Sequence, residues 1–165
     1  MTRQAAPDLI VIKLLGLPLE LRQRSTEHHE GLRREFQMLV ERGQVQPDSV
    51  PARLVALAAD LERRFDSFAA AGRAELDEAT RQGRTTADLM LEIPPGIGPA
   101  AAQFKKMIAE ADEYCAQGEH LLTLAAPPDV AAFVDWVLGE LVRQSEGGDP
   151  IPWSDAAGAS SAGGL

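Results

Sequence analysis

Cysteine is almost absent from this 165-residue chain, which contains Cys115 alone. A single thiol can form neither a disulfide within the chain nor a cysteine-based metal site, so both are excluded as sources of stability. The helical pattern around Cys115 favours a small buried hydrophobic side chain over a reactive thiol.

Positive charge is also scarce, with 16 lysines and arginines against 25 acidic residues and a formal net charge of −9. A field of that sign repels phosphates, so neither nucleic acid nor an anionic membrane is expected as the main partner.

Long hydrophobic runs are missing too. The apolar run Leu9–Leu17 is interrupted by Lys13 and has neither the pattern of a signal peptide nor the length of a membrane span. We therefore expect a cytoplasmic protein.

The familiar motifs of catalysis and cofactor binding do not occur in this sequence. His28 and His29 would point about 100° apart on a helix, which makes a shared metal ion difficult. Neither His-Glu-x-x-His nor Gly-x-Ser-x-Gly is present. The glycine-rich stretch Pro95–Pro99 lacks the Walker lysine and the dinucleotide spacing, which favours a turn and helix start there. The sequence therefore predicts no catalytic residue, cofactor or metal.

Amphipathic helices account for most of what is present, and hydrophobic residues make up 45% of the chain. The first helix is predicted from Pro18 to Gly43, with proline at its start and glycine at its end. Apolar or small residues recur on one face at helical spacing, which predicts a buried stripe. These residues are Leu21, Ser25, His28, Leu32, Phe36, Leu39 and Val40.

Three further helices follow the first. The second is predicted to begin at a cap formed by Asp48 or Ser49 and to run to Gln82, as one long helix or two collinear ones. Gly72 lies on its apolar face and indicates either a bend or a close crossing by another element. The third helix opens at Gly98–Pro99, and the fourth follows Pro127–Pro128.

A short apolar run followed by proline and a helix occurs three times, beginning at residues 9, 87 and 120. The fold class is therefore mainly α, with four amphipathic helices packed on a small three-stranded sheet, an α+β arrangement. The alternative is a plain four-helix bundle in which the three runs are ordered loops.

A single globular domain is expected over residues 9–146, preceded by a loose leader at 1–8. Residues 147–165 are rich in glycine, alanine and serine and predict a disordered tail. Trp153 in this tail would dock either on the protein itself or on a partner.

Two functional hypotheses follow from these patterns. The first is a non-enzymatic regulatory domain that binds another protein through Arg24, His28, Arg33, Arg34 or Trp136. His28 could instead be a hydrogen-bonded core residue, and Trp136 a core anchor. The second is a small-molecule or anion sensor, with a pocket between the first helix and the loop Pro95–Pro99.

Gly96, Gly98 and His28 are the ligand-binding candidates of this second hypothesis.

Several stretches of the chain carry a resemblance to known proteins: Leu14–Pro18, Glu27–His28, Leu32–Phe36, Leu121–Ala125, Pro127–Pro128, Trp136, Glu140 and Arg143–Gln144. They resemble a group of small uncharacterised actinobacterial proteins associated with anti-sigma serine kinases of the GHKL ATPase class and STAS-domain antagonists. The resemblance spans about residues 9 to 146 and implies a regulatory protein that binds an anti-sigma kinase or a STAS protein. The chain has neither a GHKL ATP-binding box nor a STAS phosphoserine motif, so it would be a different component of such a system.

Overall fold

A computed structural model of the chain describes residues 8–117 and 125–161. This part of the chain is mainly helical and has an α+β fold, with a two-stranded antiparallel sheet. In chain order its elements are β1 Ile10–Pro18, α1 Leu19–Glu41, α2 Val50–Arg81, β2 Thr86–Ile93, α3 Ile97–Gln117, α4 Pro128–Ser145 and α5 Trp153–Ser161.

The expectation of helices packed on a small sheet is confirmed, and its details change. The described residues contain five helices and two strands, where four and three were predicted. The third apolar run, Leu121–Leu124, lies outside the described residues. The plain four-helix bundle is wrong, because the first two runs pair with each other as strands instead of lying as loops.

The two strands pair with Ile12 opposite Leu91 and Lys13 opposite Met90. Side chains alternate between a face packed on the helices, which buries Ile12 completely, and a face open to solvent, where Met90 is 60% exposed. The register shifts between Leu14 and Leu17. Gly16, with φ of 65°, forms this irregularity and donates its N–H to the Asp88 carboxylate at 2.7 Å.

Helix α1 begins directly after Pro18, whose extended backbone turns the chain out of β1. The predicted apolar stripe is largely confirmed, since Ser25, Leu32 and Phe36 are buried. Val40, at the C-terminal end, is exposed instead. Burial of the stripe fixes α1 against its neighbours, because isolated helices gain little stability from sequence propensity.

Helix α2 is one unbroken helix of 32 residues, capped by the Ser49 hydroxyl. Gly72 lies where β2 crosses the helix. A Cβ added there would come within 2.8 Å of Leu91 Cδ2 and 2.9 Å of Leu89 Cδ1. The glycine therefore permits a close crossing by another element, which was one of the two predicted roles.

Two clusters of buried side chains form the core. One lies between the sheet and helices α2, α3 and α4 and includes Ile12, Leu89 and Phe133. The other lies between α1, α2 and α3 and is centred on Phe36, which is completely buried, with Leu32 beside it. The second cluster supports the candidate functional site described below.

The C-terminal segment packs on the domain, where a disordered tail was expected. Trp153 at the start of α5 lies edge-on to Trp136, with ring centroids 5.6 Å apart, and contacts Phe133 as well. The Trp136 indole N–H donates to the carbonyl oxygen of Ile151 at 2.9 Å. Burial of the aromatic rings offsets the conformational entropy that the segment loses when it becomes ordered. The composition of the segment alone suggested that this entropy cost would keep it disordered. Trp153 therefore docks on the protein itself.

None of the helices in the described ranges is long and apolar enough to cross a membrane. The cytoplasmic location stays a prediction.

Candidate functional site: a cleft between three helices

A cleft of about 410 Å³ opens between α1, α2 and α3. Its walls are mostly apolar and come from all three helices, and polar side chains stand around its mouth. Pockets that bind small molecules have this character and typically measure roughly 300–1,000 Å³. The apolar walls are formed by Leu32, Leu54, Ala58, Leu61, Phe104 and Ile108.

The cleft exists because one small residue interrupts the apolar stripe of α2. Ala58 follows Leu54 by four positions and precedes Leu61 by three, so the three residues share a face of the helix. Close-packed helices interlock through their side chains. Alanine has almost no side chain, so α2 leaves a gap opposite Phe104 and Ile108 of α3.

His29 is the main polar side chain in the wall of the cleft. Its Nδ1 lies 2.9 Å from the Ser25 carbonyl oxygen and 3.3 Å from the Ser25 hydroxyl. A carbonyl oxygen only accepts hydrogen bonds, so Nδ1 carries the proton and Nε2 is left as an acceptor. Because Nδ1 faces the backbone of its own helix, Nε2 points away from α1.

The imidazole of His29 is neutral at pH 7. Burial, and then the neighbouring His28 ring, lower the pKa of His29 from its ordinary value of 6.5. The Ser25 carbonyl and Asp112 oppose this effect without reversing it. Desolvation favours the uncharged form of a histidine. His29 thus lines the cleft as a neutral imidazole, beside the hydroxyl residues Ser25 and Thr26 and next to apolar walls. It also borders a second hollow, between α3 and α4.

An ion pair closes one side of the mouth. Arg33 of α1 binds both carboxylate oxygens of Glu62 on α2, with Nη2 at 3.1 Å from Oε2. The hydrogen bond to Arg33 lowers the pKa of Glu62 and raises that of Arg33. Both side chains are largely exposed, so the pair contributes less than about 1 kcal/mol to stability. Glu30 adds a second carboxylate at the rim.

The predicted partner-binding residues do not form one surface. Arg24 pairs with Asp129 of α4, and Arg33 pairs with Glu62 of α2. Trp136 is buried in the core, in line with its interpretation as an anchor. Arg34 is exposed. Both engaged arginines form surface ion pairs between helices of the same chain.

His28 lies beside the cleft and is not one of the side chains that line it. Its ring meets that of His29 edge-on, with centroids 5.3 Å apart. Its Nε2 is buried and has no hydrogen-bond partner among the residues that the structure describes. The next residue, His29, is the histidine that bonds to Ser25.

The loop before α3 is a turn closed by its own backbone hydrogen bonds. The N–H groups of Ile97 and Gly98 donate to the carbonyl oxygens of Pro94 and Pro95, which leaves them unavailable to a ligand. A Cβ added at Gly98 would come within 2.9 Å of Ser145 Cβ, so this glycine permits close packing of α3 on α4. The ligand-binding role of Gly96 and Gly98 stays a prediction, and these hydrogen bonds favour the turn and helix start that the sequence also indicated.

Metal binding and thiol chemistry receive no support from the described residues. No three histidine, cysteine or acidic side chains among them converge on a point that could hold a metal ion. Burial, with smaller contributions from Asp112 and Glu35, raises the pKa of the Cys115 thiol to about 11. The thiolate is thus scarce at neutral pH.

Sequence reasoning missed three contributors to the cleft: His29, Ala58 and Glu62. The spacing of Ser25 and His29, four positions apart, was a local signal for their hydrogen bond. Alanine within a leucine stripe was a weaker signal for a gap. The pairing of Glu62 with Arg33 depends on how α1 and α2 pack, for which the sequence holds no local signal.

No protein-family model, curated protein or solved structure matches this chain.

Proposed function

We propose that this protein is a non-enzymatic sensor domain whose cleft binds a small, mainly apolar molecule carrying one hydroxyl or N–H donor. The observation that carries this proposal is the neutral His29 acceptor set in the apolar cleft. A hydrophobic cavity with one oriented polar group is the usual design of a small-molecule site.

The chemistry of the rim selects against anions. Glu30 and Glu62 contribute two negative charges, while the single positive charge of Arg33 is already paired with Glu62. A carboxylate or phosphate ligand would meet this excess negative charge without a free cation among the residues that line the cleft. A donor such as a phenol or an alcohol would meet the unprotonated Nε2 of His29.

The test is a thermal-shift and calorimetric titration with p-cresol, and with toluene as its analogue without the hydroxyl group. A ligand at 100 times its dissociation constant should stabilise the protein by about 2.7 kcal/mol. A net hydrogen bond is worth about 0.5–1.5 kcal/mol, so p-cresol should bind roughly 2- to 10-fold more tightly than toluene. His29→Phe should abolish this preference while keeping an aromatic wall.

A matched pair of variants locates the binding. Ala58→Phe fills the gap in α2 and should eliminate binding of p-cresol. Ala56→Phe adds the same ring at an exposed position of the same helix and should leave binding unchanged. Equal loss of affinity in both variants, or equal affinity for p-cresol and toluene in the wild-type protein, would count against the proposal.

We further propose a regulatory interaction with another protein, as the resemblance to partner-switching components implies. Of the predicted contact residues on α1, Arg34 is exposed, whereas Arg24 and Arg33 bind carboxylates of the same chain. Arg34→Glu should weaken capture of a purified anti-sigma kinase or STAS-domain protein, and Arg42→Glu, at the exposed end of α1, should not. Unchanged capture by Arg34→Glu would remove this surface from consideration.

A further inference from the structure

The outer edge of β1 is occupied by a side chain of α4. The Gln144 amide accepts a hydrogen bond from the Lys13 N–H at 2.9 Å and donates one to the Lys13 carbonyl oxygen at 2.8 Å. Both backbone groups of Lys13 therefore point away from β2. In an antiparallel pair, opposite residues either exchange both hydrogen bonds or face outward together.

It follows that the outer edge of β2 carries outward-facing backbone groups. Met90 is opposite Lys13, so its N–H and C=O point away from β1. The same alternation applies at Glu92, which is opposite Val11. Among the described residues no hydrogen bond joins another element to the backbone of Met90 or Glu92. Thus Gln144 occupies the outer edge of β1 at Lys13, while the outer edge of β2 is free at Met90.

The surroundings of this edge are acidic. Asp88 and Glu92 flank Met90 on the solvent face of β2, and all three residues are exposed. On the other side of the edge, Glu75 and Glu78 of α2 line a hollow of about 500 Å³ beside Asp88, together with Arg84. Glu78 is paired with Arg81, whereas Asp88 and Glu92 are two carboxylates on the solvent face of the strand itself. An extended segment paired with β2 would therefore meet an excess of carboxylates.

We propose that the outer edge of β2 docks an extended, basic segment of a partner protein, which adds a third strand to the sheet. Cationic side chains of the segment would stand opposite Asp88 and Glu92, with an apolar side chain opposite Met90. Main-chain pairing supplies affinity in such complexes, and side-chain pairs supply specificity.

A second copy of this chain is a poorer occupant. Twofold antiparallel pairing centred on Met90 would place Asp88 opposite Glu92 of the other copy, twice. The net charge of −9 adds general repulsion between copies.

The test is fluorescence anisotropy with a dansyl-labelled peptide of sequence Thr-Lys-Thr-Val-Thr-Lys-Thr, which reads the same pattern in either direction. We expect saturable binding that weakens as salt is added. A peptide with glutamate in place of lysine should not bind. N-methylation of its valine, which removes an N–H needed for pairing, should weaken binding by about tenfold.

Proline at matched positions tests the geometry. Met90→Pro removes an N–H on the open edge without touching the ladder to β1, and should weaken binding by about tenfold. Val11→Pro makes the equivalent change on the outer edge of β1, which the peptide does not occupy, and should leave binding intact. Glu92→Lys should also weaken binding, and Ala58→Phe should not, which separates this site from the cleft.

Three outcomes would overturn the proposal. The first is an absence of saturable binding in the low-millimolar range. The second is equal binding of the N-methylated peptide, which would indicate charge attraction without strand pairing. The third is an equal loss of affinity in Met90→Pro and Val11→Pro.

Discussion

Replacing Glu140 with glutamine should destabilise the protein strongly, although glutamate on a helix is usually a solvated residue. The Glu140 carboxylate is buried, with 3% of the residue exposed. It accepts hydrogen bonds from the Arg143 guanidinium, from Gln144 Nε2 at 2.7 Å and from the Ile151 N–H at 3.1 Å. One side chain thus connects α4 to the segment that leads into α5 and to the residue that closes β1.

The magnitude follows from the number of donors. A hydrogen bond to a charged group contributes about 1.5–3 kcal/mol, and one between neutral groups about 0.5–1.5 kcal/mol. In Glu140→Gln the three hydrogen bonds are no longer made to a charged group. One carboxylate oxygen, which accepts, is also replaced by an NH₂ group, which donates. We expect a loss of about 2–3 kcal/mol from a total stability of roughly 5–15 kcal/mol.

The assay is urea unfolding at pH 7 followed by circular dichroism, with Glu146→Gln as the control. Glu146 lies at the exposed end of the same helix, so its replacement should change stability by no more than about 0.5 kcal/mol. Limited proteolysis should also cut Glu140→Gln faster between residues 146 and 153. If both variants unfold at the same urea concentration, the buried carboxylate does not stabilise the fold as argued.

Other substitutions test separate parts of the structure. Because burial lowers the pKa of His29 below 6.5, its stabilisation is present above that pH and is lost as pH falls through the folded-state pKa. Urea unfolding between pH 7 and 5 should show a shallower loss of stability in His29→Gln, and an unchanged slope would contradict the neutral histidine. Phe36→Ala should cost about 3–5 kcal/mol in the same assay, because Phe36 is fully buried, and a loss under about 1 kcal/mol would contradict its place in the core. With a thiol pKa of about 11, Cys115 should react slowly with iodoacetamide at pH 8 when folded and rapidly in urea, whereas equal rates would show an accessible thiol.

The sequence predicted the first four helices and the two strands because their signals are local. The spacing of Leu32 and Phe36 places them on one helix face whatever packs against it, and both are buried. Prolines and glycines set the element ends to within a few residues. The branched residues Ile10, Val11 and Ile12 favoured a strand in the same way.

The site was harder to predict because it depends on contacts between distant segments. Arg24 lies four residues after Glu20, yet its partner is Asp129 of α4. Nothing near Arg33 in the sequence indicates Glu62. The composition of the C-terminal segment predicted disorder, and only the position of Trp136 in the folded domain explains the docking of Trp153. These features depend on tertiary contacts, which the local propensity of the sequence does not determine.

The central claim is that the cleft between α1, α2 and α3 binds a small apolar molecule with a hydrogen-bond donor. Its most direct test is the measurement of intermolecular NOEs between p-cresol and protein labelled at isoleucine and leucine methyl groups. The account predicts NOEs from the cresol ring to the methyl groups of Ile108 and Leu61. It is contradicted if saturating p-cresol gives no NOE to these methyl groups, or gives NOEs only to residues outside the cleft.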